Sequence, residues 1–104
     1  MNPSLLLELQ RALAREEYSF TLHAIAKMEE RGIVSTDVEE ALLAAEAEII
    51  EDYPEDPRGA SCLVLGWTRG GRPLHAELSY PPDVKVITVY EPDSDLWLNQ
   101  RIRR

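Results

Sequence analysis

The sequence predicts an α+β fold in which N-terminal helices pack on one face of an antiparallel sheet of three to four strands. Apolar residues recur at helical spacing up to about Ala47, and beyond that point they alternate or form short continuous runs. These later segments are separated by turns that contain glycine or proline, as in hairpins. Helices followed by hairpin-connected strands are typical of α+β proteins. With 104 residues, the chain is expected to form a single domain, residues 1–104.

Two helices are predicted before residue 33. The first covers residues 4–17, where Ser4 can serve as the N-cap and leucine and alanine recur at helical spacing. The second begins near Thr21 and ends at Gly32, because glycine commonly follows the last residue of a helix.

A third helix and four strands complete the prediction. The helix begins at Thr36, where Glu39 can reach back to the Thr36 amide in a capping box, and it runs to about Ala47. The tail over residues 94–104 is expected to be a short helix or an irregular segment, with Trp97 folded back on the body. The strands are predicted over residues 49–53, 61–67, 74–80 and 84–90.

The charge is negative overall but unevenly placed. The net charge is −8 at pH 7, whereas residues 29–57 contain eleven carboxylates and one arginine, so the other residues together carry +2. Nucleic-acid binding usually requires a basic surface, and this acidic block therefore weakens the case for RNA without removing it. It fits a face that attracts a basic protein partner equally well, formed by the third helix and residues 51–56.

Several classes of protein are disfavoured by what the sequence lacks. No apolar run approaches the roughly 20 residues that cross a bilayer, and no basic segment leads into an apolar one near the start. A cytoplasmic protein with no membrane partner is therefore expected. Cys62 is the single cysteine, which excludes an intramolecular disulfide and a multi-cysteine zinc site. Within an apolar strand it is predicted to be a small buried side chain.

His23, Lys27 and Arg31 form a polar stripe on the second helix, because residues four apart are neighbours on a helix surface. An imidazole beside two cations suits a phosphate or another anion. The opposing interpretation is a solvated flank of the helix, with His23 only capping or packing. The apolar face of the same helix is assigned to four residues: Leu22, Ile25, Ala26 and Met28.

His75 and Tyr90 are the other candidates for chemistry. His75 lies on the polar side of an alternating strand beside Glu77, where it is either a general acid or base near neutral pH or an ordinary solvent-facing histidine. Tyr90 ends the last strand and either donates a hydrogen bond near a phosphate or packs with its hydroxyl in water. A zinc site from His23, His75 and a carboxylate is open in principle, but no paired-ligand spacing supports it. No cofactor is predicted.

Short motifs follow one another in a specific order over about residues 18–97. They are His23-Ala24 with Met28, Arg31-Gly32-Ile33, Asp37 to Leu42, Ile49 to Pro54, Ser61 to Gly66, Gly71 to His75, and Ile87 to Asp93 followed by Trp97. This succession resembles a small bacterial family, the domain of unknown function DUF4258. The positions that match its motifs and can do chemistry are His23, Arg31, His75 and Tyr90, whereas Lys27 stands where an arginine is commoner.

The resemblance implies a fold, an activity and partners. The family is grouped with the toxin-like RelE, BrnT and MqsR proteins, whose fold places helices against a curved antiparallel sheet. Its members often lie beside genes for zinc-finger or helix-turn-helix antitoxins. What the resemblance implies is a type II toxin with a RelE-like fold that acts as a metal-independent ribonuclease, with RNA and an antitoxin as partners.

Metal-free RNA cleavage requires a base for the 2′-hydroxyl, an acid for the leaving 5′-oxygen and cations for the phosphate. We assign the acid and base roles to His75 and His23, phosphate binding to Arg31 with Lys27, and an auxiliary donor role to Tyr90. This assignment requires His23 and His75 to lie at the rim of one groove. The competing hypothesis is a non-catalytic interaction module of the same fold that holds a partner through its acidic face.

Overall fold

The computed structural model describes residues 3–104, and within them it contains three helices, a five-stranded sheet and a separate two-stranded hairpin. The prediction of an α+β fold is confirmed. The helices are α1 (Pro3–Ala14), α2 (Leu22–Arg31) and α3 (Ser35–Leu43). The strands are β1 (Ser19–Phe20), β2 (Glu48–Tyr53), β3 (Ser61–Trp67), β4 (Pro73–Ser79), β5 (Lys85–Tyr90), β6 (Trp97–Leu98) and β7 (Ile102–Arg103).

The main sheet has the strand order β1-β5-β4-β3-β2 and is mixed rather than antiparallel. Strands β2 to β5 form an antiparallel meander in which His75 lies opposite Tyr90, and their bounds agree with the predicted strands to within one residue. β1 runs parallel to β5, with Phe20 opposite Val86. The prediction of three to four antiparallel strands is therefore wrong at this edge, because a two-residue strand carries no alternation that would reveal it.

The three helices pack on one face of the main sheet and form a single core with it. α3 approaches β3 so closely that a Cβ atom on Gly66 would lie 1.8 Å from the carbonyl oxygen of Ala41. None of the helices within residues 3–104 has the length and hydropathy that a membrane-spanning segment needs. The core includes Leu9, Leu13, Ala24, Met28, Val38, Leu42, Val64, Leu74, Ala76, Leu78 and Val89.

α2 begins and ends where the sequence predicts. The Thr21 hydroxyl accepts a hydrogen bond from the Ala24 amide at 3.0 Å, as an N-cap does, and donates one to the Ile87 carbonyl of β5 at 3.1 Å. Gly32 follows the helix with a left-handed backbone (φ 65°), the conformation that glycine adopts without strain. The same threonine thus starts the helix and attaches it to the sheet.

The ends of the other two helices differ from the prediction. α1 ends at Ala14 rather than at residue 17. At the start of α3 the Asp37 carboxylate accepts a hydrogen bond from the Val34 amide at 3.0 Å, so the expected capping box between Thr36 and Glu39 is not formed. α3 also ends at residue 43, earlier than expected, because the following residue has an extended backbone.

The tail forms a hairpin, β6–β7, rather than the expected short helix or irregular segment. Its turn contains Asn99 and Gln100, both with a positive φ (52° and 63°). Trp97 is buried, as expected, and lies against the sheet face that the helices leave uncovered. Short strands and a turn without glycine explain why no hairpin signal was visible in the sequence.

Candidate active site

His75 is fully buried on the face of the main sheet opposite the helices. Its neighbours on β4, Leu74 and Ala76, belong to the helix-covered core, and alternation along the strand directs His75 to the other side. The hairpin covers His75 on that side. The Trp97 ring lies edge-on to the imidazole, with 4.4 Å between the ring centres, and the Gln100 carbonyl oxygen lies 2.5 Å from Nε2 of His75. The alternative of a solvent-facing His75 is therefore wrong, because a segment distant in sequence shields it.

The hydrogen bonds of His75 define its tautomer and the orientation of Tyr90. Burial lowers the pKa of His75 below its ordinary 6.5, in spite of the bond to Gln100 that raises it. A carbonyl oxygen only accepts, so Nε2 carries the hydrogen of the neutral ring and Nδ1 accepts from the Tyr90 hydroxyl at 3.2 Å. Burial raises the pKa of Tyr90, which therefore keeps its proton. The Tyr90 oxygen can still accept a hydrogen bond from a neighbouring donor.

A pocket of about 320 Å³ adjoins Tyr90 on the same face of the sheet. Strands β2 to β5 and the β2–β3 loop form most of it, and the hairpin contributes one wall. We call it the sheet-face pocket. Its lining residues are Glu51, Tyr53, Asp56, Arg58, Leu63, Glu77, Thr88, Tyr90 and Arg103.

One wall of the sheet-face pocket is an ion pair between the hairpin and β2. Arg103 Nε donates to Glu51 at 2.8 Å, the Tyr53 hydroxyl donates to the same carboxylate, and the Arg103 guanidinium lies 4.6 Å from the centre of the Trp97 ring. Burial alone would raise the pKa of Glu51, but the bonds from Arg103 and Tyr53 outweigh it and lower the pKa. Burial and the bond to Glu51 raise the pKa of Tyr53.

A second ion pair and, in the described chain, a carboxylate that forms no ion pair also line the pocket. Arg58 and Asp56 lie 3.2 Å apart, and the Arg58 side chain is 87% exposed. Glu77 accepts a hydrogen bond from the Ser61 hydroxyl at 3.1 Å. Within residues 3–104, Glu77 is the one pocket carboxylate that forms no ion pair. Its carboxylate therefore keeps acceptor positions for a bound molecule.

The polar stripe on α2 does not join this site. Ala24 of α2 is buried in the core on the helical side of the sheet, so the exposed His23 of the same helix lies on the side away from His75. The expected shared groove is therefore not formed, and neither is the zinc site that would need both rings. Lys27 forms an exposed ion pair with Glu30 at 3.3 Å.

Arg31 makes structural contacts rather than facing an open groove. Its Nη1 donates to the Val89 carbonyl of β5 at 2.8 Å. Arg72 donates to the carbonyls of Arg31 and Gly32, each at 3.1 Å, and pairs with Glu91 at 3.0 Å. Together these bonds fix the end of α2 against the sheet.

The apolar face assigned to α2 is partly wrong. Leu22 is 86% exposed and Ile25 is 50% exposed, and Ala26 is exposed as well. Ala24 and Met28 are the residues of this helix that enter the core. The attachment of the first turn to β5 sets this rotation, and the sequence does not reveal it.

Cys62 is buried with no exposed surface, as predicted. Burial is the main cause that raises the pKa of its thiol to about 12, so the thiolate nucleophile is not formed at neutral pH. No group of three or more histidine, cysteine, aspartate or glutamate side chains is placed to hold a metal ion in the part of the chain that the structure describes.

Sequence patterns did not single out Tyr53, Arg58 and Arg103, and they left Glu77 without a role. The strand pattern held part of this information. Alternate positions on neighbouring antiparallel strands share one face of the sheet, so Tyr53 and Glu77 lie on the same face as Tyr90. Arg58 lies in a loop and Arg103 in the hairpin, where no periodicity points to a site.

One comparison with known proteins gives a match. A family model described as "Domain of unknown function (DUF4258)" matches residues 20–91. The match covers α2, α3 and strands β2 to β5, and it leaves α1 and the hairpin outside. No curated protein and no solved structure matches the chain significantly.

Proposed function

The chain belongs to the family of unknown function DUF4258, and from this premise we propose that it is a toxin-type, metal-independent endoribonuclease that cleaves RNA at the sheet-face pocket. One observation carries the proposal: a single pocket holds an acceptor carboxylate, two tyrosine hydroxyls and two guanidinium groups. These are the groups that RNA cleavage without a metal requires. The proposed fold is RelE-like, which the helices on one face of a largely antiparallel sheet support. The proposed location is the cytoplasm, because the proposed substrate is RNA.

Glu77 is the proposed general base. It forms no ion pair in the part of the chain that the structure describes, unlike Glu51 and Asp56, and a hydroxyl donor holds it in the pocket. A carboxylate in this position removes the proton of the 2′-hydroxyl as its oxygen attacks the phosphorus. This role replaces the one that the sequence assigned to His23.

Arg58 and Arg103 are the proposed phosphate ligands, in place of Arg31 and Lys27. Both guanidinium groups are now paired with carboxylates, and both side chains are more than half exposed. Exposed ion pairs are weak in water, so a phosphate that offers the same bidentate contact can displace the carboxylate partner. The negative charge of the pocket in the free protein is therefore compatible with an anionic substrate.

Tyr90 is the proposed donor to the leaving 5′-oxygen, and His75 controls its availability. With His75 neutral, the phenol hydrogen points toward Nδ1 and away from the pocket. When His75 is protonated, Nδ1 becomes a donor, and the phenol hydrogen is released toward the substrate. The buried imidazole then resupplies the proton that Tyr90 transfers.

The reaction balances within these groups. The 2′-oxygen forms a bond to phosphorus, the bond between phosphorus and the 5′-oxygen breaks, Glu77 gains a proton and Tyr90 gives one. The products are a 2′,3′-cyclic phosphate and a 5′-hydroxyl end, and subsequent hydrolysis of the cyclic phosphate gives a 3′-phosphate. Arg58 and Arg103 offset the charge that develops on the phosphate oxygens.

Incubation of the purified chain with RNA in excess EDTA tests the proposal, followed by chemical mapping of the new ends. We expect cyclic phosphate or 3′-phosphate ends, and a loss of about a hundredfold or more in rate for Glu77→Gln. Glu29→Gln, an exposed carboxamide substitution on α2, is the matched control and should cleave normally. Intact RNA with soluble, folded wild-type protein would overturn the proposal, and so would equal rates for the two variants.

A second candidate function is a non-catalytic interaction module of the same fold. A groove of about 800 Å³ beside α3, lined by three glutamates, favours it. In either case we propose that a small basic or zinc-binding antitoxin encoded alongside is the protein partner. Growth arrest on expression of the chain alone, relieved by Glu77→Gln, separates the enzyme from the module.

A further inference from the structure

We propose that the groove between α3 and the β3–β4 turn binds a basic amphipathic segment of a partner protein. The groove encloses about 800 Å³, compared with about 320 Å³ for the sheet-face pocket. We call it the α3 groove. It is separate from the sheet-face pocket, with which it shares no lining residue.

An apolar side chain is exposed inside the α3 groove. Leu43, in the last turn of α3, is 41% exposed and lines the groove. Trp67 at the end of β3 also lines it, but its ring lies 5.6 Å from the Arg101 guanidinium, so Leu43 is the exposed apolar side chain on which the inference rests. Apolar surface that is exposed in a concavity with a polar rim is typical of a protein-binding site.

The rim of the α3 groove is acidic and partly fixed in position. Glu39 accepts a hydrogen bond from the Tyr18 hydroxyl at 2.8 Å, and Glu40 accepts one from the Arg69 amide at 3.0 Å. These single bonds hold the carboxylates at the groove and leave acceptor positions on each of them. Glu46 forms no hydrogen bond or ion pair within the described residues. The groove therefore offers three carboxylates against the one cationic side chain of Arg69.

The charge selects the class of partner. Lysine and arginine side chains match the carboxylates at the rim, and an apolar side chain between them fits against Leu43. An amphipathic helix with one apolar and one basic face supplies both features at the spacing of a single turn. RNA would bring phosphates to the carboxylates, and a second copy of this chain would bring its own acidic residues 29–57. Both are disfavoured by charge.

A designed peptide tests the inference without RNA, so its outcome is independent of the ribonuclease proposal. The probe is a fluorescent amphipathic helix of about 14 residues, roughly four turns, with leucines on one face and lysines on the other. Binding to the full chain is followed by anisotropy. A peptide of the same pattern with glutamates in place of the lysines is the negative probe.

Two variants of equal net charge distinguish the groove from the overall charge. Glu46→Lys changes the rim, whereas Glu55→Lys makes the same change in the β2–β3 loop, outside the groove. We expect Glu46→Lys to weaken binding by about tenfold, Glu55→Lys by about twofold or less, and added salt to weaken the wild-type complex. Leu43→Ser should weaken binding without any change in charge.

Three results would overturn the inference: equal weakening by the two lysine variants, equal binding of the glutamate peptide, or direct binding of a fluorescent single-stranded RNA that Leu43→Ser weakens. The first would show that the peptide responds to the overall negative charge of the protein and not to the α3 groove. The last would assign the groove to nucleic acid instead of protein. Chemical-shift changes confined to Leu43 and its neighbours would support the groove directly.

Discussion

The Tyr90 hydroxyl donates a hydrogen bond to Nδ1 of His75 across 3.2 Å, and the imidazole donates its own hydrogen from Nε2 to the Gln100 carbonyl. The direction of the first bond follows from the second, because a neutral imidazole has one donor and one acceptor. Protonation of His75 makes both ring nitrogens donors. It therefore reverses the bond to Tyr90 while the contact to Gln100 remains.

The stability of the protein should fall in mildly acidic solution because of His75. Its folded-state pKa is lowered from 6.5 by burial, so below about pH 6.5 the unfolded chain takes up a proton that the folded chain binds less readily. The free energy of unfolding should decrease as the pH falls from 6.5 toward the folded-state pKa of His75. Above pH 6.5, His75 should not make the free energy of unfolding depend on pH. Glu51, with a pKa lowered from 4.5, acts in a separate window below 4.5.

Denaturant unfolding of His75→Gln measures this effect. We expect the dependence on pH between about 7 and 5 to be smaller than in the wild type, because the variant has no buried imidazole to protonate. His23→Gln, which removes the exposed histidine, should retain the wild-type dependence. An unchanged dependence in His75→Gln would show that another group is responsible.

The proposed ribonuclease activity predicts that RNA is cleaved faster below pH 6.5 than above it. In the proposed mechanism the donor role of Tyr90 requires protonated His75, so the rate should rise as the pH falls below 6.5 through the lowered pKa of His75. Tyr90→Phe should reduce the rate by about a hundredfold. His75→Gln should remove the fall in rate at higher pH, and a profile identical to that of the wild type would exclude the positioning role of His75.

Removal of the Trp97 ring should open His75 to water. Trp97 is 3% exposed, and Trp97→Ala is expected to cost about 3–5 kcal/mol of stability while the pKa of His75 rises toward 6.5. NMR titration of the imidazole protons measures the pKa. Leu98→Ala, on the exposed side of the hairpin, is the control and should leave that pKa unchanged. An unaltered titration in Trp97→Ala would mean that the hairpin is not what desolvates His75.

Gly66→Ala should destabilise the contact between α3 and β3. The added Cβ would meet the Ala41 carbonyl oxygen at 1.8 Å, and the backbone must move to relieve the overlap, at a cost of about 1–3 kcal/mol or more. The control is Gly70→Ala, where the nearest atom is 3.8 Å away and φ lies outside the left-handed region. Thermal unfolding of the two variants compares them, and similar losses would argue against the close approach.

Thr21→Ala and Thr36→Ala distinguish the observed helix caps from the one expected from sequence alone. Thr21 caps α2 and contacts β5, so its substitution should cost about 1 kcal/mol, within the usual range of 0.5–2. Thr36 is exposed inside α3, where Asp37 makes the capping bond, and its substitution should cost little. A larger loss for Thr36→Ala in chemical denaturation would contradict the observed start of α3.

The parts of the fold that the sequence predicted are those specified by local patterns. β3 matches its expected bounds because Ser61 to Trp67 is an apolar run between turn residues, and α2 is bounded by Thr21 and Gly32, which cap it as expected. β1 and the hairpin are too short to carry a pattern and form through tertiary contacts. The rotation of α2, with Leu22 in water, likewise depends on the sheet beside it.

The candidate site was predicted in part, for the same reason. His75 and Tyr90 were named for their chemistry, and the antiparallel register brings them opposite each other. The expected pairing of His75 with His23 failed because the helix and the sheet pack through their apolar faces, so their polar faces point in opposite directions. Arg103 reaches the pocket through the fold of the hairpin, which only the structure reveals.

The contacts of α2 with β5 have a consequence for solubility. β1 pairs with only the first part of β5, and an unpaired strand edge is a template for association with strands of other molecules. Along that edge the Thr21 hydroxyl donates a hydrogen bond to the Ile87 carbonyl, and the Arg31 guanidinium donates one to the Val89 carbonyl. We therefore expect that loss of the Arg31 side chain frees the Val89 carbonyl for pairing with another molecule, so that the protein aggregates at a lower concentration.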